Sequence, residues 1–288
     1  MYTQDTMYTR DQVPAVYADV TGLRLLDSMR ALGKRIFTTF DAQEMAARLE
    51  IPPTTLTWVL TQLVKSGRLT HLRRGLYAID DSRSGGPAPH PFAIATALVA
   101  PSVISHWSAM AYHGLTEQIP RIITATTTRD IVTPRMRRGA TSDGPASLWE
   151  VPGLSIRYVR VQPHHFWGFQ EVWVDETARI PITDRERTVL DGFVSPAIFG
   201  SIHEVLGVLE EHLTEIDIDK LVAYALRYGR GSVIKRLGYF LEQFDVPSSI
   251  LEPLRDAPIT SHRLLDPDGL DRGPYLARWR VRDNMTPG

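Results

Sequence analysis

The stretch Ile51-Pro-Pro-Thr-Thr-Leu-Thr-Trp-Val-Leu-Thr-Gln-Leu-Val-Lys-Ser-Gly67 decides how the first part of this chain folds. Leu56, Val59, Leu60, Leu63 and Val64 recur at helical spacing and predict an amphipathic helix that Gly67 closes. The other face carries Thr54, Thr55, Thr57, Trp58, Thr61, Gln62 and Lys65. Threonine is a mediocre helix former, so this face calls for a reason.

The flanking sequence supplies one. A short helical pattern, Asp41 to Leu49, runs into Glu50-Ile-Pro-Pro, which has room only for a turn. After Gly67, residues 68–79 read as two short strands about Arg73-Arg74-Gly75. With residues 22–33 as a preceding helix, the order is that of a winged helix-turn-helix. In that arrangement the second helix of the motif enters the major groove, its N-terminal residues at the base edges. Thr54, Thr55, Thr57, Trp58, Thr61 and Gln62 are then the expected readers, and Lys65, Arg73 and Arg74 the expected phosphate contacts. Lys34 and Arg35 could add further phosphate contacts. The plainer alternative is a solvated polar face, with Trp58 packed on the wing or on the other domain.

Charge is distributed in keeping with this. The 288-residue chain has a net charge of −1, yet residues 24–79 hold nine cations against four acids. Residues 121–160 hold seven arginines against three acids, and residues 203–219 hold six acids and no Lys or Arg. The basic run Arg129 to Gly139 reads either as a solvated loop or as an electrostatic site for nucleic acid or an acidic partner.

Hydrophobic residues make up 43% of the chain, enough for a substantial core. The chain has no cysteine, which excludes disulfides, thiol catalysis and cysteine-held metals and fits a reducing cytoplasm. The opening MYTQDTMYTR lacks the apolar run of a secretory signal, and no stretch approaches membrane-span length. A soluble cytoplasmic protein is expected.

The Ser-, Gly- and Pro-rich residues 81–90 are the expected linker. Residues 1–20 are expected to be a flexible arm, 21–80 the DNA-binding domain, and 91–288 a larger mixed α/β domain with a helical C-terminal half. The expected class is therefore α+β. Helices are predicted near 91–99 and 105–113, strands near 121–128, 147–160 and 169–174, three or four helices from about 184 to 244, and an irregular tail over the last forty or so residues. Asp41 with Glu44, Thr183 with Glu186 and Ser201 with Glu204 have capping-box spacing, and Gly229 has the place of a helix stop.

No catalytic constellation emerges. Gly200-Ser201 followed by Asp217 and Asp219 resembles a magnesium-dependent nucleotidyltransferase signature, but both acids lead directly into a helical pattern and read as a cap and a first-turn acid. Ser201 reads as a cap too. His90, His106, His113, His164 and His165 show no metal-ligand spacing. The expectation is no enzyme, no cofactor and no metal.

Taken in order, Arg73-Arg-Gly-Leu-Tyr-Ala-Ile79, His90-Pro-Phe-Ala-Ile-Ala-Thr-Ala-Leu98, Ile104 to Pro120, Ile182-Thr-Asp-Arg-Glu-Arg-Thr-Val-Leu-Asp191, Ser232 to Leu241 and Trp279-Arg-Val-Arg-Asp283 resemble AbiEi-like antitoxins of type IV toxin–antitoxin systems. The resemblance spans nearly everything after about residue 20. It implies a transcriptional regulator that represses its own operon by binding double-stranded operator DNA. It also implies a C-terminal domain that counteracts a co-encoded nucleotidyltransferase-like toxin without a stable complex. The alternatives are a ligand-responsive winged-helix repressor and, behind it, a magnesium-dependent nucleotidyltransferase using Asp217 and Asp219.

Overall fold

The computed structural model describes residues 12–81, 87–139, 148–259 and 261–285. The chain is α+β and divides into two compact units. The first comprises residues 1–100 with 150–154 and 173–180; the second comprises the remainder.

In the first unit, α1 (Gln12–Ala31) precedes β1 (Ile36–Thr38), α2 (Thr39–Arg48), α3 (Pro53–Lys65), β2 (Leu69–Arg73), β3 (Leu76–Ile79) and α4 (Pro91–Leu98). The strands form an antiparallel sheet in the order β1-β3-β2. Gly75 makes the β2–β3 turn at φ 74°, a conformation that carries no steric penalty without a Cβ. Leu25, Leu26 and Met29 of α1 join Phe37, Ala42, Met45, Leu56, Val59, Leu60, Leu63, Leu69 and Ile79 in one core. Every apolar position that predicted α3 faces that core, with Val64 at its margin.

Several local expectations need correction. The helix expected over 22–33 begins at Gln12, so at least residues 12–20 of the proposed arm are helical; residues 1–11 lie outside the described residues. The compact unit extends to Ala100, so α4 belongs with the first part of the chain and not with the second; residues 82–86 of the expected linker lie outside the described residues. The cap of α2 is Thr38 with Asp41, not Asp41 with Glu44: the Thr38 hydroxyl accepts from the Asp41 N–H, and the Asp41 carboxylate accepts from the Thr38 N–H.

The second unit contains β4 (Ser102–Ile104), α5 (His106–Tyr112), β5 (Ile122–Thr127), β6 (Leu148–Val151), β7 (Leu154–Arg160), β8 (Phe169–Trp173) and β9 (Arg179–Thr183), some of whose end residues fall in the first. They form a six-stranded mixed sheet in the order β6-β7-β5-β4-β9-β8. β5 runs antiparallel to β4 and parallel to β7, and β4 runs parallel to β9. The sequence reading missed both β4, which is too short to show a period, and β9, which Pro181 interrupts.

Helices α6 (Arg185–Val194), α7 (Ile202–Glu211), α8 (Ile218–Tyr228), α9 (Gly231–Gln243) and α10 (Ser248–Asp256) follow. Ser201 and Asp217 are the N-caps of α7 and α8, and Gly229 ends α8 in the left-handed conformation, all as expected. The cap of α6 is Asp184, one residue beyond the expected Thr183. The C-terminal segment is more ordered in pattern than the expected irregular tail. β10 (Arg263–Leu264), β11 (Tyr275–Leu276) and β12 (Val281–Arg282) form a small sheet, and Trp279 is buried in the helical core beside Gly238.

Candidate nucleic-acid interface

The polar face of α3 sits outside its core. Thr54, Thr57, Thr61 and Lys65 are exposed, and Thr55 and Gln62 are half-buried. The helix starts at Pro52-Pro53 without a side-chain cap. Proline at the first position has no N–H, and the Leu56 N–H already bonds to the Pro52 carbonyl. That leaves the Thr54 and Thr55 N–H groups outside the helical ladder, at the positive end of the helix dipole. Lys65 lies in the last turn, where its charge complements the carbonyl end.

The threonines differ among themselves. The Thr61 hydroxyl donates to the Thr57 carbonyl at 2.9 Å, and Thr57 makes a longer contact of 3.5 Å to the Pro53 carbonyl. These back-bonds occupy the hydroxyl protons and leave their methyls and lone pairs for another molecule. Trp58 is half-buried against the core of its own unit, so packing explains much of what set it apart in the sequence.

The expected cations also divide. Arg74, at the β2–β3 turn, is exposed and makes no side-chain bond among the described residues. Arg73 is exposed but its Nε donates to the Leu98 carbonyl at 3.0 Å. Lys34 is ion-paired with Asp41. Burial alone would raise the Asp41 pKa, but the Lys34 ammonium and the Thr38 hydroxyl and N–H together bring it down to about 2. Arg35 pairs with buried Asp81 at 2.8 Å and also meets the Pro87 carbonyl. Arg30 binds the same carboxylate. Lys34 and Arg35 therefore have structural partners that the sequence reading did not foresee. Asp81 was hidden because it opens a stretch that reads as linker.

The second unit holds several charged side chains in its interior, Glu186, Arg187, Asp191, Lys235 and Arg236 among them. The Arg187 guanidinium, 2% exposed, donates to Asp191 at 2.9 Å and to the carbonyls of His165 and Trp167 at 2.9 and 2.6 Å. It also lies over the Trp167 ring at 4.6 Å. Nearby, Lys220 bridges Glu186 and Asp184, at 2.7 and 3.2 Å, and the Tyr224 hydroxyl donates to Asp184 at 2.8 Å.

The histidines are accounted for separately. His106 is buried, with Nδ1 2.8 Å from the Ser105 hydroxyl, and burial lowers its pKa. His113 donates from Nε2 to the Thr183 carbonyl at 2.6 Å, and His165 stacks on Tyr228 at 4.0 Å. The Asp217 carboxylate accepts from the Lys220 N–H as a cap, with Asp219 in the first turn behind it. In the basic run, Asp130 pairs with Arg160 at 2.9 Å.

No family model and no curated protein matches the chain. Among solved structures it is similar to the crystal structure of the RV2827C protein from Mycobacterium tuberculosis, with a TM-score of 0.57 and 13% identity. The likeness covers 88% of this chain and 89% of that one. At that identity the likeness speaks for the α+β fold. No helix among the described residues is long and apolar enough to cross a membrane.

Proposed function

We propose that this chain is a DNA-binding transcriptional autorepressor, with α2, the tight turn and α3 acting as a helix-turn-helix and β2–β3 as its wing. The observation that carries the reading is the outward face of α3. Its uncapped start and the side chains of Thr54, Thr55, Gln62 and Lys65 are left without side-chain partners among the described residues, while the apolar face is packed. Helix starts of this kind receive phosphate, and short hydroxyl and amide side chains suit base edges. Arg74 extends the charge to the wing tip.

The resemblance to AbiEi-like proteins adds the second half of the proposal: a cytoplasmic antitoxin whose second unit counteracts a nucleotidyltransferase-like toxin without catalysing a reaction itself. The use of Ser201 and Asp217 as caps supports a non-catalytic role for the signature they mimic.

The test is binding to the chain's own upstream DNA across a salt series, beside a Thr55→Ala, Lys65→Ala, Arg74→Ala variant. Salt-sensitive, sequence-selective binding that the variant loses is the expected result. Selective binding untouched by the variant would move the interface elsewhere, and no selective binding would end the regulator reading. Toxin co-expression then tests the antitoxin half.

A further inference from the structure

Within the first unit lies a cavity of about 480 Å³, in the size range of small-molecule sites. Ile36, Phe37, Leu76, Ala93, Ala97 and Ile180 give it apolar walls. Four cations, Lys34, Arg35, Arg73 and Arg179, line it against two acids, Asp41 and Asp175.

Both acids are already engaged. Asp41 completes the α2 cap and pairs with Lys34. Asp175 accepts from the Thr177 N–H, the Thr177 hydroxyl and the Ala178 N–H, at 2.7 to 2.8 Å. Of the cations, Lys34 pairs with Asp41, Arg35 with Asp81 and Arg73 with the Leu98 carbonyl, which leaves two donors over. Arg179 makes no side-chain bond among the described residues, and the buried Nε of Arg35 has no acceptor. His90, also in the wall, accepts from the Phe92 N–H through Nδ1, which places the proton of the neutral ring on Nε2 as a further donor. Apolar walls with surplus donors suit one kind of guest.

We propose that this cavity binds a small organic anion, an apolar ring or short aliphatic body carrying one carboxylate, sulfonate or phosphate group, and that its occupancy lowers affinity for DNA. The second clause rests on the proposed function. Arg73 and Leu76 belong to the wing strands, and Arg73 is one of the cations expected at DNA phosphate. An anion held beside Arg73 competes for its charge and fixes the wing strands against it, and by linkage DNA must weaken the anion's binding by the same factor.

The probe is 8-anilinonaphthalene-1-sulfonate, an aromatic monoanion that reports its own binding by fluorescence. The full chain is titrated with it alone and then in the presence of operator DNA. Saturable binding is expected, weakened about tenfold or more by Arg179→Ala, as for removal of a charge-assisted hydrogen bond, and abolished by Ala97→Trp, which fills the cavity. Thermal melts report whether each variant is folded, and Arg179→Ala removes an exposed side chain that the fold does not use. Saturating probe should weaken DNA binding severalfold in the parent chain.

Binding that is absent, or equal in parent and Arg179→Ala, overturns the site. Variant-sensitive binding with no effect on a selective DNA complex overturns the coupling. Variant-sensitive binding in a chain that shows no selective DNA affinity upholds the site and removes the proposed function instead.

Discussion

Helices α3 and α6 have similar lengths and both carry threonine and charge, yet they handle polar groups in opposite ways. In α6 eight consecutive residues, Glu186 to Phe193, are buried, and the charged ones among them have partners: Glu186 with Lys220, Arg187 with Asp191 and two carbonyls. In α3 the buried set is Leu56, Val59, Leu60 and Leu63, and the polar residues either face solvent or turn back on their own helix. A polar group taken out of water must be paired, so the charges of α6 are explained by the fold. Those of α3 stay in water and the fold makes no use of them; under the proposed function it is DNA that does.

The widest separation between the two helices should come from Arg187→Ala. Removing the guanidinium leaves the Asp191 carboxylate and two carbonyls without their donor and takes away one of the two guanidinium groups, with that of Arg227, over Trp167. Loss of one partner from a buried pair costs about 3–5 kcal/mol, enough to threaten folding. Urea unfolding measures it. Arg187→Lys should recover little, because an ammonium cannot reproduce the fork that reaches three acceptors. A loss under about 1 kcal/mol would mean that the interior of the second unit tolerates unpaired charge, and the contrast with α3 would fail.

Next in size is Gly238→Ala on α9. An added Cβ would stand 2.1 Å from a ring carbon of Trp279, so the indole must move. That ring is buried, and its Nε1 donates to Glu242 at 2.6 Å. Overpacking of this kind costs about 1–3 kcal/mol. A matching loss of Trp279 fluorescence character would tie the C-terminal segment to the helical core.

These two sites also show what the sequence could and could not reveal. α3 was legible because its period is unbroken and flanked by a proline turn and Gly67. The caps at Ser201 and Asp217 and the stop at Gly229 were readable for similarly local reasons. β4 and the tail strands were not, because strands of two or three residues acquire their identity from neighbours distant in sequence, and β9 was not, because Pro181 interrupts it. Nothing in the sequence around Arg187 marks it as interior; only the carbonyls of His165 and Trp167, some twenty residues earlier, reveal it. For the candidate interface, exposure of Thr54, Lys65 and Arg74 followed from period and turn. The pairing of Lys34 and Arg35 depended on Asp41 and Asp81, whose roles the capping and linker readings misplaced.

A smaller effect belongs to the α2 cap. Thr38→Ala removes the acceptor for the Asp41 N–H and should cost about 1 kcal/mol. The pH dependence has a definite sign. The Asp41 carboxyl has its pKa lowered from 3.8 to about 2, so its contribution is complete above the ordinary value and disappears as pH falls toward about 2. Melting temperatures taken down this range should fall less steeply in Asp41→Asn than in the parent chain. Equal slopes would show that the Lys34–Asp41 pair does not hold the cap.

The smallest expected change in stability is the most informative. Lys65→Ala with Arg74→Ala removes two exposed cations that have no partner among the described residues, and unfolding free energy should stay within about 0.5 kcal/mol of the parent. DNA affinity should nevertheless fall for every sequence. The slope of log affinity against log salt should become shallower by about 0.9 for each phosphate that the variant no longer neutralises. Thr55→Ala, by contrast, should leave that slope intact and relax preference at one base position by about 1–3 kcal/mol. Stability and binding thus separate at α3, where they cannot at α6: a residue without a structural partner can be removed without unfolding the chain, and only its interaction with another molecule disappears. If the double variant is instead destabilised as Arg187→Ala is, those cations hold the fold, and the outward face of α3 loses its claim to be an interface.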